Sequence, residues 1–264
     1  MRLALAQLDV ENAAVSANVE RAVDAIEAAA AAGADLVALP EIFNVGYFAF
    51  DSYAREAEAL DGPTLTRIRE VAADEGVGVL AGSIVEDLAA SEGGPAEDGL
   101  ANTSVLFGRD GDRLLTYRKR HLFGYGSAET ELLTPGETPG VAEFEGFTVG
   151  VTTCYDLRFP ELYRDYVARG VTLTLVPSAW PYPRVEHWKT LPRARAIENL
   201  SYVAAVNGSG SYEEASLLGR STVYDPWGTP VSTTDDQPDV VYADVDPETV
   251  ADVREEFPAV ADRR

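Results

Sequence analysis

The chain has 264 residues, of which 46% are hydrophobic, and it carries a formal net charge of −23 at pH 7. This length suffices for one large domain or two small ones, and the negative charge disfavours binding to nucleic acid or to an anionic membrane. One cysteine and two histidines exclude an internal disulfide, a multi-thiolate metal centre and a three-histidine zinc site, so neither a metal nor a cofactor is expected.

The distribution of charge indicates the surroundings in which the protein works. Acidic residues are spread along the chain, and the basic residues are arginines except for Lys119 and Lys189. This composition indicates a halophilic, salt-adapted origin. Because lysine is depleted in such a protein, a chemical role explains a remaining lysine better than a position on the surface does. The chain contains no run of about 18 apolar residues that would predict a membrane span. The first residues, MRLALAQLDVEN, lack the apolar core of a signal peptide, and a cytoplasmic location is expected.

In chain order, strand and helix patterns alternate. The period-two segment 2–10 predicts a strand, apolar residues at helical spacing predict a helix over 16–32, and the apolar segment 35–40 predicts a buried strand. Further helices are predicted at 63–75, 160–169, 187–200 and 247–255. Further strands are predicted at 77–87, in a hairpin over 101–119 that turns at Asp110–Gly111, and at 147–154, 171–180, 201–210, 219–224 and 240–245. Loops are predicted at 89–99 and 124–140. This interleaving, without a linker or a repeat, predicts a single α/β domain over residues 1–264.

Cys154 follows a predicted strand and precedes a predicted helix. A side chain at such a turn is held rigidly and projects into a cleft. The backbone N–H groups at the helix start can lower the pKa of a thiol and can bind an oxyanion. The alternative is an inert, buried thiol that serves only as a small hydrophobic side chain.

Two further residues stand at predicted strand ends. Glu41 closes the buried strand 35–40, at the carboxyl end where ligands bind in α/β folds, although a solvated loop carboxylate is an alternative. Lys119 closes the second strand of the hairpin between two arginines, so its ammonium group needs a carboxylate partner. Lysine provides a compact charge and a possible proton donor, which arginine does not; the alternative is an ordinary surface lysine.

Together these three side chains meet the needs of one reaction. A thiolate attacks a carbonyl carbon, a carboxylate takes the thiol proton and later activates water, and a cation stabilises the oxyanion that develops. No histidine is required for this chemistry.

Three segments carry a resemblance to a known family. They are LPEIFNVGY (39–47), YRKRHLF (117–123) and CYDLRFPELY (154–163), and they are supported by HWKTLPRARAIEN (187–199) and FPAVADRR (257–264). In this order, and over the whole of 1–264, the chain resembles the nitrilase superfamily of carbon–nitrogen hydrolases. The resemblance implies a four-layer α-β-β-α sandwich that assembles into a homodimer or a larger homo-oligomer.

The resemblance also implies a role for each matching residue. Cys154 corresponds to the nucleophile, Glu41 to the general base and Lys119 to the oxyanion-binding lysine, and the N–H of Tyr155 to a second oxyanion donor. A further family glutamate before a Pro-Gly turn corresponds to Glu129, which would pair with Lys119; Glu131, two residues on, is the alternative. The implied reaction is hydrolysis of a small amide by water through a cysteine thioester.

The substrate is predicted less closely than the reaction. Candidate pocket residues are Tyr47, Phe123, Tyr125 and Trp180, for each of which plain packing is the alternative. Arg184 is a candidate for binding a substrate carboxylate, or else an ordinary surface arginine.

The segments SAWPYPRVEHWKTL (178–191) and YRKRHLF together resemble the ω-amidase branch, which hydrolyses the terminal amide of 2-oxo dicarboxylic acid monoamides. Alternatives within the family are an amidase for deaminated glutathione, an N-carbamoyl amine hydrolase and a nitrilase. Outside it are a non-catalytic binding protein on the same fold and a redox-sensing thiol protein.

Two positions depart from the family pattern. Thr153 precedes the cysteine where an apolar residue is usual, which predicts altered packing behind the thiol. Pro192 lies where a helix is expected, and because proline costs about 3 kcal/mol in a helix interior, a kink or a later helix start is predicted there.

Overall fold

Two β-sheets form the centre of the molecule. Within residues 1–213 and 215–263, which the computed structural model describes, one sheet has seven strands and the other has six. The first sheet has the spatial order β13 (Asp239–Asp244), β1 (Arg2–Gln7), β2 (Leu36–Ala38), β3 (Gly78–Leu80), β5 (Leu100–Phe107) and β4 (Ile84–Asp87), with β6 (Arg113–Arg118) also paired to β5. The second has the order β12 (Pro230–Thr233), β11 (Thr222–Tyr224), β10 (Tyr202–Asn207), β9 (Leu173–Ser178), β8 (Phe147–Val151) and β7 (Gly140–Phe144).

Helices pack beside the two sheets. They are α1 (Val15–Ala31), α2 (Tyr53–Glu56), α3 (Pro63–Glu75), α4 (Glu129–Leu132), α5 (Pro160–Ala168), α6 (Val185–Asn199) and α7 (Pro247–Glu256). Helices α1 and α3 cover the outer face of the first sheet, and α5 and α6 cover that of the second. The ends of α3 follow local rules: Pro63 occupies the first turn, and Gly76 ends the helix in the left-handed conformation. Over the described part of the chain, none of the helices combines the length and the apolar character needed to cross a bilayer.

Alternating side chains place each sheet between two apolar layers. In β1, Leu3 and Leu5 pack into a core shared with Leu173 and Leu175 of β9. Their neighbours Ala4 and Ala6 face the opposite way, into a core that includes buried residues of α1 and α3. This is the two-residue period of a strand with both faces buried.

The second sheet repeats the arrangement with its own helices. Tyr202 and Ala204 of β10 belong to the core between the sheets, whereas Val203 and Ala205 pack with buried residues of α5 and α6. The layers therefore follow the order helix, sheet, sheet, helix. The predicted four-layer α-β-β-α sandwich is confirmed.

The predicted strand 77–87 is wrong in one respect, because it is divided into β3 and β4. The interruption contains Gly82, whose φ is +20°, and a Cβ atom added there would lie 1.9 Å from the carbonyl oxygen of Pro40. Only glycine permits this close approach. The break thus allows the chain to pass directly behind Pro40 and its neighbour Glu41.

Short elements account for the other differences. The predicted loop 124–140 contains α4, and neither β7, which pairs with β8, nor β12, which pairs with β11, is predicted. These elements have four or five residues, which is too few to establish a period. Their conformation depends on the neighbouring chain that supplies the hydrogen bonds.

Helix α6 differs from its prediction at its start. It begins at Val185, before His187, and continues through Pro192 to Asn199, so the later start is wrong; a kink at this proline stays a prediction. Proline removes one helical N–H donor. The buried side chains of Trp188 and Ala196, on either side of Pro192, hold both halves of the helix against the second sheet.

Candidate active site

The predicted catalytic residues lie just beyond strands of both sheets. Glu41 follows β2 and Lys119 follows β6 in the first sheet, whereas Cys154 follows β8 in the second. Glu129 lies in α4, within the connection from β6 to β7. The carboxyl ends of strands are the usual ligand-binding edge of an α/β sheet, and here the edges of both sheets contribute.

Lys119 lies between two carboxylates. Its Nζ atom is 2.9 Å from Oε1 of Glu41 and 2.7 Å from Oε1 of Glu129, and the three side chains are fully buried. Glu131, the alternative partner, is exposed. The structure therefore pairs Lys119 with the predicted Glu129 and also with Glu41.

Both carboxylates receive further hydrogen bonds. The Nδ2 group of Asn102 donates to Oε1 of Glu41 over 2.9 Å and to Oε1 of Glu129 over 3.5 Å. The backbone N–H of Ala179 donates to Oε2 of Glu41 over 2.9 Å. Because a buried polar group without partners is costly, these donors compensate both carboxylates for the water that burial removes.

Glu129 is fixed through its second oxygen. Oε2 accepts from the N–H of Phe123 over 2.9 Å and from the hydroxyl of Tyr47 over 3.1 Å. The Tyr47 hydroxyl also lies 3.2 Å from Oγ of Ser127. Tyr47, predicted as a substrate-binding residue, is thus also a hydrogen-bond partner of Glu129.

The burial of these charges shifts their pKa values. Burial alone would lower the pKa of Lys119, but the carboxylates of Glu129 and Glu41 hold it well above its usual value. Burial raises the pKa of Glu129, and the adjacent Lys119 counteracts part of that rise. Lys119 therefore remains an ammonium ion at neutral pH and acts as a fixed positive charge.

Cys154 is 9% exposed and stands at the first position of a 3₁₀ turn that spans Cys154–Arg158. Burial, and after it the negative charge of Glu41, raise the pKa of the thiol well above its usual value, against the opposing effects of Lys119 and the Ala179 N–H. The thiol is therefore protonated at neutral pH. A reaction at Sγ needs a base to remove that proton.

Two residues of this site have a strained backbone conformation. Cys154 has a φ of +47°, and Ile42, the residue after Glu41, has the same value. Positive φ is uncommon for a side-chain-bearing residue and is a clear outlier for a β-branched one. The N–H of Ile42 donates to Oγ of Ser83 over 2.8 Å, which supports the strained turn. Such strain, held in place by its surroundings, is typical of functional sites.

Cys154 opens into a cavity of about 280 Å³. All five predicted substrate-binding residues line this cavity: Tyr47, Phe123, Tyr125, Trp180 and Arg184. Tyr125 is 82% exposed and lies at its mouth. Tyr155, whose N–H is the predicted second oxyanion donor, also lines it and follows Cys154 in the first turn, where N–H groups have no partner within the turn.

A second arginine, absent from the sequence prediction, lines the same cavity. The guanidinium carbon of Arg158 is 5.2 Å from the ring centre of Trp180, and that of Arg184 is 5.5 Å from the ring centre of Phe123. Within residues 1–213 and 215–263, neither arginine forms an ion pair. Arg158 lies four residues after Cys154 in the segment CYDLRFPELY, and this proximity to the predicted nucleophile could have indicated that it lines the cavity.

Two buried asparagines also escaped prediction. Asn102 begins a run of three polar residues inside β5, and Asn207 ends β10. The side chain of Asn207 accepts from the N–H of Trp180 over 2.7 Å and donates to its carbonyl oxygen over 3.1 Å. It thereby holds the cavity wall and the adjoining Ala179. An asparagine within a predicted strand was the signal in both cases.

The departure at Thr153 has a simple structural outcome. Its side chain is fully buried, and its hydroxyl lies 3.5 Å from that of Ser104 in β5. A hydroxyl behind the thiol thus faces another hydroxyl across the two sheets.

In the described ranges, 1–213 and 215–263, no group of three or more His, Cys, Asp or Glu side chains is arranged to hold a metal ion.

Comparison with known proteins gives a consistent result. The 2-oxoglutaramate amidase of Paenarthrobacter nicotinovorans is 39% identical over 235 residues, covering 88% of this chain and 79% of that protein. Omega-amidase NIT2 of Danio rerio is 37% identical over 274 aligned positions, covering 100% of this chain and 94% of that protein.

Among solved structures, XC1258 of Xanthomonas campestris, a CN-hydrolase superfamily protein with an arsenic adduct in its active site, superposes with a TM-score of 0.90 at 34% identity. The match covers 100% of this chain and 97% of that one. The carbon–nitrogen hydrolase family model matches residues 2–255. The chain therefore belongs to the carbon–nitrogen hydrolase family of the nitrilase superfamily, and it is a hydrolase of carbon–nitrogen bonds other than peptide bonds.

Proposed function

We propose that this enzyme is an ω-amidase, which hydrolyses the terminal amide of a 2-oxo dicarboxylic acid monoamide to a carboxylate and ammonia. One observation carries the proposal: the cavity that contains the Cys154 thiol is also lined by two arginines, Arg158 and Arg184. A thiol suits attack on the amide, and a guanidinium group suits recognition of a carboxylate at the other end of the substrate. The similarity to a 2-oxoglutaramate amidase and to ω-amidases supports the same substrate class.

The first half of the proposed reaction forms a thioester. Glu41 accepts the proton of the Cys154 thiol, and Sγ bonds to the amide carbon as the carbonyl π electrons move to oxygen. When the tetrahedral intermediate collapses, the C–N bond breaks and Glu41 returns the proton to the leaving nitrogen, which departs as ammonia. The raised pKa of the thiol is the reason that a base is needed.

The second half consumes water. Glu41 takes a proton from a water molecule, and the oxygen of that water bonds to the thioester carbon. The C–S bond then breaks, the carboxylic acid leaves, and the proton returns to the sulfur. One carboxylate, that of Glu41, thus acts as the base in both half-reactions. Its contacts with Lys119 and the Ala179 N–H hold it in one position for both.

Lys119 suits the role of oxyanion donor because of its remaining hydrogen. An ammonium group has three N–H donors, and within the described residues two of them are directed to Glu41 and Glu129. The third is available for the substrate oxygen, together with the N–H of Tyr155. Removing one such donor typically costs a factor of about 10² to 10³ in rate.

The alternatives make different demands on the cavity. A simple nitrile or an N-carbamoyl amine without an acid group would leave Arg158 and Arg184 without an anionic partner. Deaminated glutathione carries a 2-oxo carboxylate at the same distance from its scissile amide, and it differs from 2-oxoglutaramate in releasing a dipeptide instead of ammonia. The two arginines therefore favour an acidic amide, and the similarity to a 2-oxoglutaramate amidase and to ω-amidases favours the one with the smaller leaving group.

The test is hydrolysis in molar salt, followed as ammonia released from 2-oxoglutaramate, an N-carbamoyl amine, an aliphatic nitrile and an uncharged aliphatic amide, and as the dipeptide released from deaminated glutathione. We expect 2-oxoglutaramate to have the highest kcat/KM and Cys154→Ala to abolish its turnover. Arg158→Ala and Arg184→Ala should raise KM for the acidic amide and leave the uncharged amide unaffected.

Arg169→Ala, which removes only a surface pair with Asp165, is the matched control and should behave as the wild type. A preference for the uncharged amide, or an equal effect of the arginine variants on both amides, would contradict the substrate assignment.

We also propose that the protein assembles as a homodimer or a larger homo-oligomer. The large apolar side chains that are exposed include Ile197 of α6 (47%), Trp227 in the β11–β12 turn (46%) and Phe257 after α7 (52%). The rings of Trp227 and Phe257 lie 6.1 Å apart, and together the three side chains offer an apolar surface for a second copy. Light scattering should show an oligomer that Trp227→Glu with Phe257→Glu converts to a monomer. An oligomer that persists in this double variant would place the interface elsewhere.

Salt adaptation, a cytoplasmic location and a single domain over 1–264 also remain proposals. The net charge of −23 and the scarcity of lysine support the first. Thermal unfolding that shifts to lower temperature as salt is removed would support it, whereas full stability in dilute buffer would not. Unfolding in one cooperative transition would support a single domain.

A further inference from the structure

The carboxylate of Asp156 lies behind the site and accepts four hydrogen bonds. Its Oδ2 atom accepts from the hydroxyl of Tyr117 over 2.6 Å and from the N–H of Thr153 over 2.9 Å. Its Oδ1 atom accepts from the N–H and from Nδ1 of His121, over 3.0 and 2.7 Å. The side chain is fully buried and does not line the substrate cavity.

These donors come from the two segments that hold the reactive groups. Tyr117 and His121 stand two residues before and two residues after Lys119, whereas Thr153 directly precedes Cys154. Lys119 is anchored to the first sheet, since its N–H donates to the carbonyl oxygen of Asn102 over 2.8 Å. Cys154 follows the second sheet. One carboxylate therefore connects the two halves of the site.

We propose that Asp156 is a positioning residue that fixes the Cys154 thiol relative to the Lys119 ammonium group. The proposal rests on the proposed function, in which Cys154 attacks the carbonyl carbon and Lys119 binds its oxygen. These two atoms of the substrate are one bond apart. A small displacement of one sheet relative to the other would therefore separate attack from charge stabilisation.

The donors are held in place by their own packing. Tyr117 is fully buried in the core between the sheets. The ring of His121 stacks on that of Phe159, with centroids 3.7 Å apart and planes inclined by 10°. Because a carboxylate can only accept, Nδ1 of His121 is the protonated nitrogen here. The four donors therefore meet Asp156 in one defined geometry.

Asparagine cannot replace this carboxylate without losing a hydrogen bond. Each oxygen of Asp156 faces one backbone N–H, which can only donate, so the amide group of Asp156→Asn would direct a hydrogen at the N–H of Thr153 or of His121 in either orientation. At least one of the four hydrogen bonds would be lost whichever way the amide turned. Two other variants each remove one side-chain donor and leave the carboxylate in place. Tyr117→Phe removes the hydroxyl, and His121→Phe removes Nδ1 while keeping an aromatic ring against Phe159.

Two readouts separate positioning from folding. The first is kcat and KM for the amide substrate, expressed per reactive Cys154 thiol. The second is the rate at which acrylamide alkylates Cys154, which requires no carbon–nitrogen bond hydrolysis. In that addition Sγ bonds to the β-carbon, the C=C π bond breaks, the carbonyl oxygen gains negative charge beside Lys119, and the thiol proton reaches the α-carbon. Its rate thus reports the alignment of Cys154 with Lys119.

We expect Asp156→Asn to lower kcat and the alkylation rate by about 10²-fold, while KM changes less than about threefold. Tyr117→Phe and His121→Phe should each lower both rates by about tenfold. The combination of Tyr117→Phe with Asp156→Asn should be no slower than Asp156→Asn alone, because both changes break the same connection. The matched control is Tyr166→Phe, since the Tyr166 hydroxyl is also buried but bonds only to backbone groups of β7 and β8.

Rates per thiol within about twofold of the wild type in Tyr117→Phe and His121→Phe would overturn the proposal, even if Asp156→Asn fails to fold. Equal losses in Tyr166→Phe, or a raised KM with unchanged kcat, would also overturn it. If the wild type hydrolyses none of the amides, the ω-amidase assignment fails, and the alkylation rates alone decide the role of Asp156.

Discussion

Two neighbouring cations at the end of β6 have different surroundings. Arg118 meets a single carboxylate, with Nη2 2.7 Å from Oε1 and Nε 2.7 Å from Oε2 of the fully buried Glu86. Lys119 meets two carboxylates, those of Glu41 and Glu129. Because consecutive residues of a strand face opposite ways, one hairpin supplies a cation to each of two separate buried clusters.

The two clusters differ in what the hydrogen-bond donors of the cation bind. The planar fork of Arg118 is matched by both oxygens of Glu86, and the charges balance. Around Lys119, the carboxylates of Glu41 and Glu129 surround one ammonium group, whose remaining hydrogen binds the substrate oxygen in the proposed reaction. The first arrangement is suited to holding the hairpin in place. The second is suited to chemistry, and the following substitutions test this distinction.

The largest effect should come from Lys119→Met, which removes the fixed charge at the oxyanion. We expect kcat/KM to fall by about 10³-fold or more, because the donor acts only where charge develops. Lys119→Arg should be similarly impaired, since the fork cannot take the place of a point charge between two carboxylates. Amide turnover by protein shown to be folded by circular dichroism is the measurement. Near-normal turnover of Lys119→Arg would contradict the assigned role.

Glu86→Gln should act on stability instead. It leaves the Arg118 guanidinium, which is 10% exposed, without its carboxylate, and breaking a buried pair in this way costs about 3 kcal/mol. Urea titration should show this loss in the free energy of unfolding, with kcat per folded molecule within about twofold of the wild type. A large loss of kcat would mean that the two clusters are not independent.

Glu129→Gln should give the opposite result. We expect kcat to be about 10- to 100-fold lower, because the ammonium group loses one of its two carboxylates. The free energy of unfolding should be less affected than in Glu86→Gln.

The pKa of Glu129 is raised in the folded protein, so its ionised form opposes folding. The wild type should therefore lose stability relative to Glu129→Gln as pH rises from the ordinary carboxyl pKa through the raised one. Unfolding of both proteins at acidic and neutral pH measures this difference; a change of the opposite sign would contradict it.

Glu41→Gln should lower the pKa of the Cys154 thiol. After burial, the negative charge of Glu41 is the largest cause of the raised pKa, and glutamine removes that charge while retaining the side-chain size. The ultraviolet absorbance of the thiolate, followed as pH increases, reports the shift, with Glu86→Gln as a control that should leave it unchanged. An unaltered or higher thiol pKa in Glu41→Gln would show that the two groups are not in electrostatic contact.

The smallest effect should come from Arg118→Lys. This change keeps the charge opposite Glu86 but replaces two parallel hydrogen bonds by a point contact, which should cost about 1 kcal/mol in the free energy of unfolding. Amide turnover should be unchanged. Thermal or urea unfolding measures the loss, and a drop in turnover as large as that of Lys119→Arg would remove the distinction between the two cations.

Local patterns predicted the parts of the site that stand at element ends. Glu41, Lys119 and Cys154 each follow a strand with a clear apolar pattern, so their positions could be inferred before any contact was known. Glu129 depended on the family resemblance, because the four-residue helix that carries it is too short to recognise. Asn102 was missed because it lies inside a strand, where a polar residue has no local explanation.

The sequence by itself determined the α/β class of the fold and singled out three candidate catalytic residues, because strand and helix periods and strand ends depend on neighbours along the chain. The reaction class came from the resemblance of short segments to a known family. Only the tertiary structure decided that Glu41 takes hydrogen bonds from residues 61 and 138 positions away, Asn102 and Ala179. It also decided that Asp156 connects the two halves of the site. Such contacts depend on how two sheets pack face to face, and local periodicity carries no information about that packing.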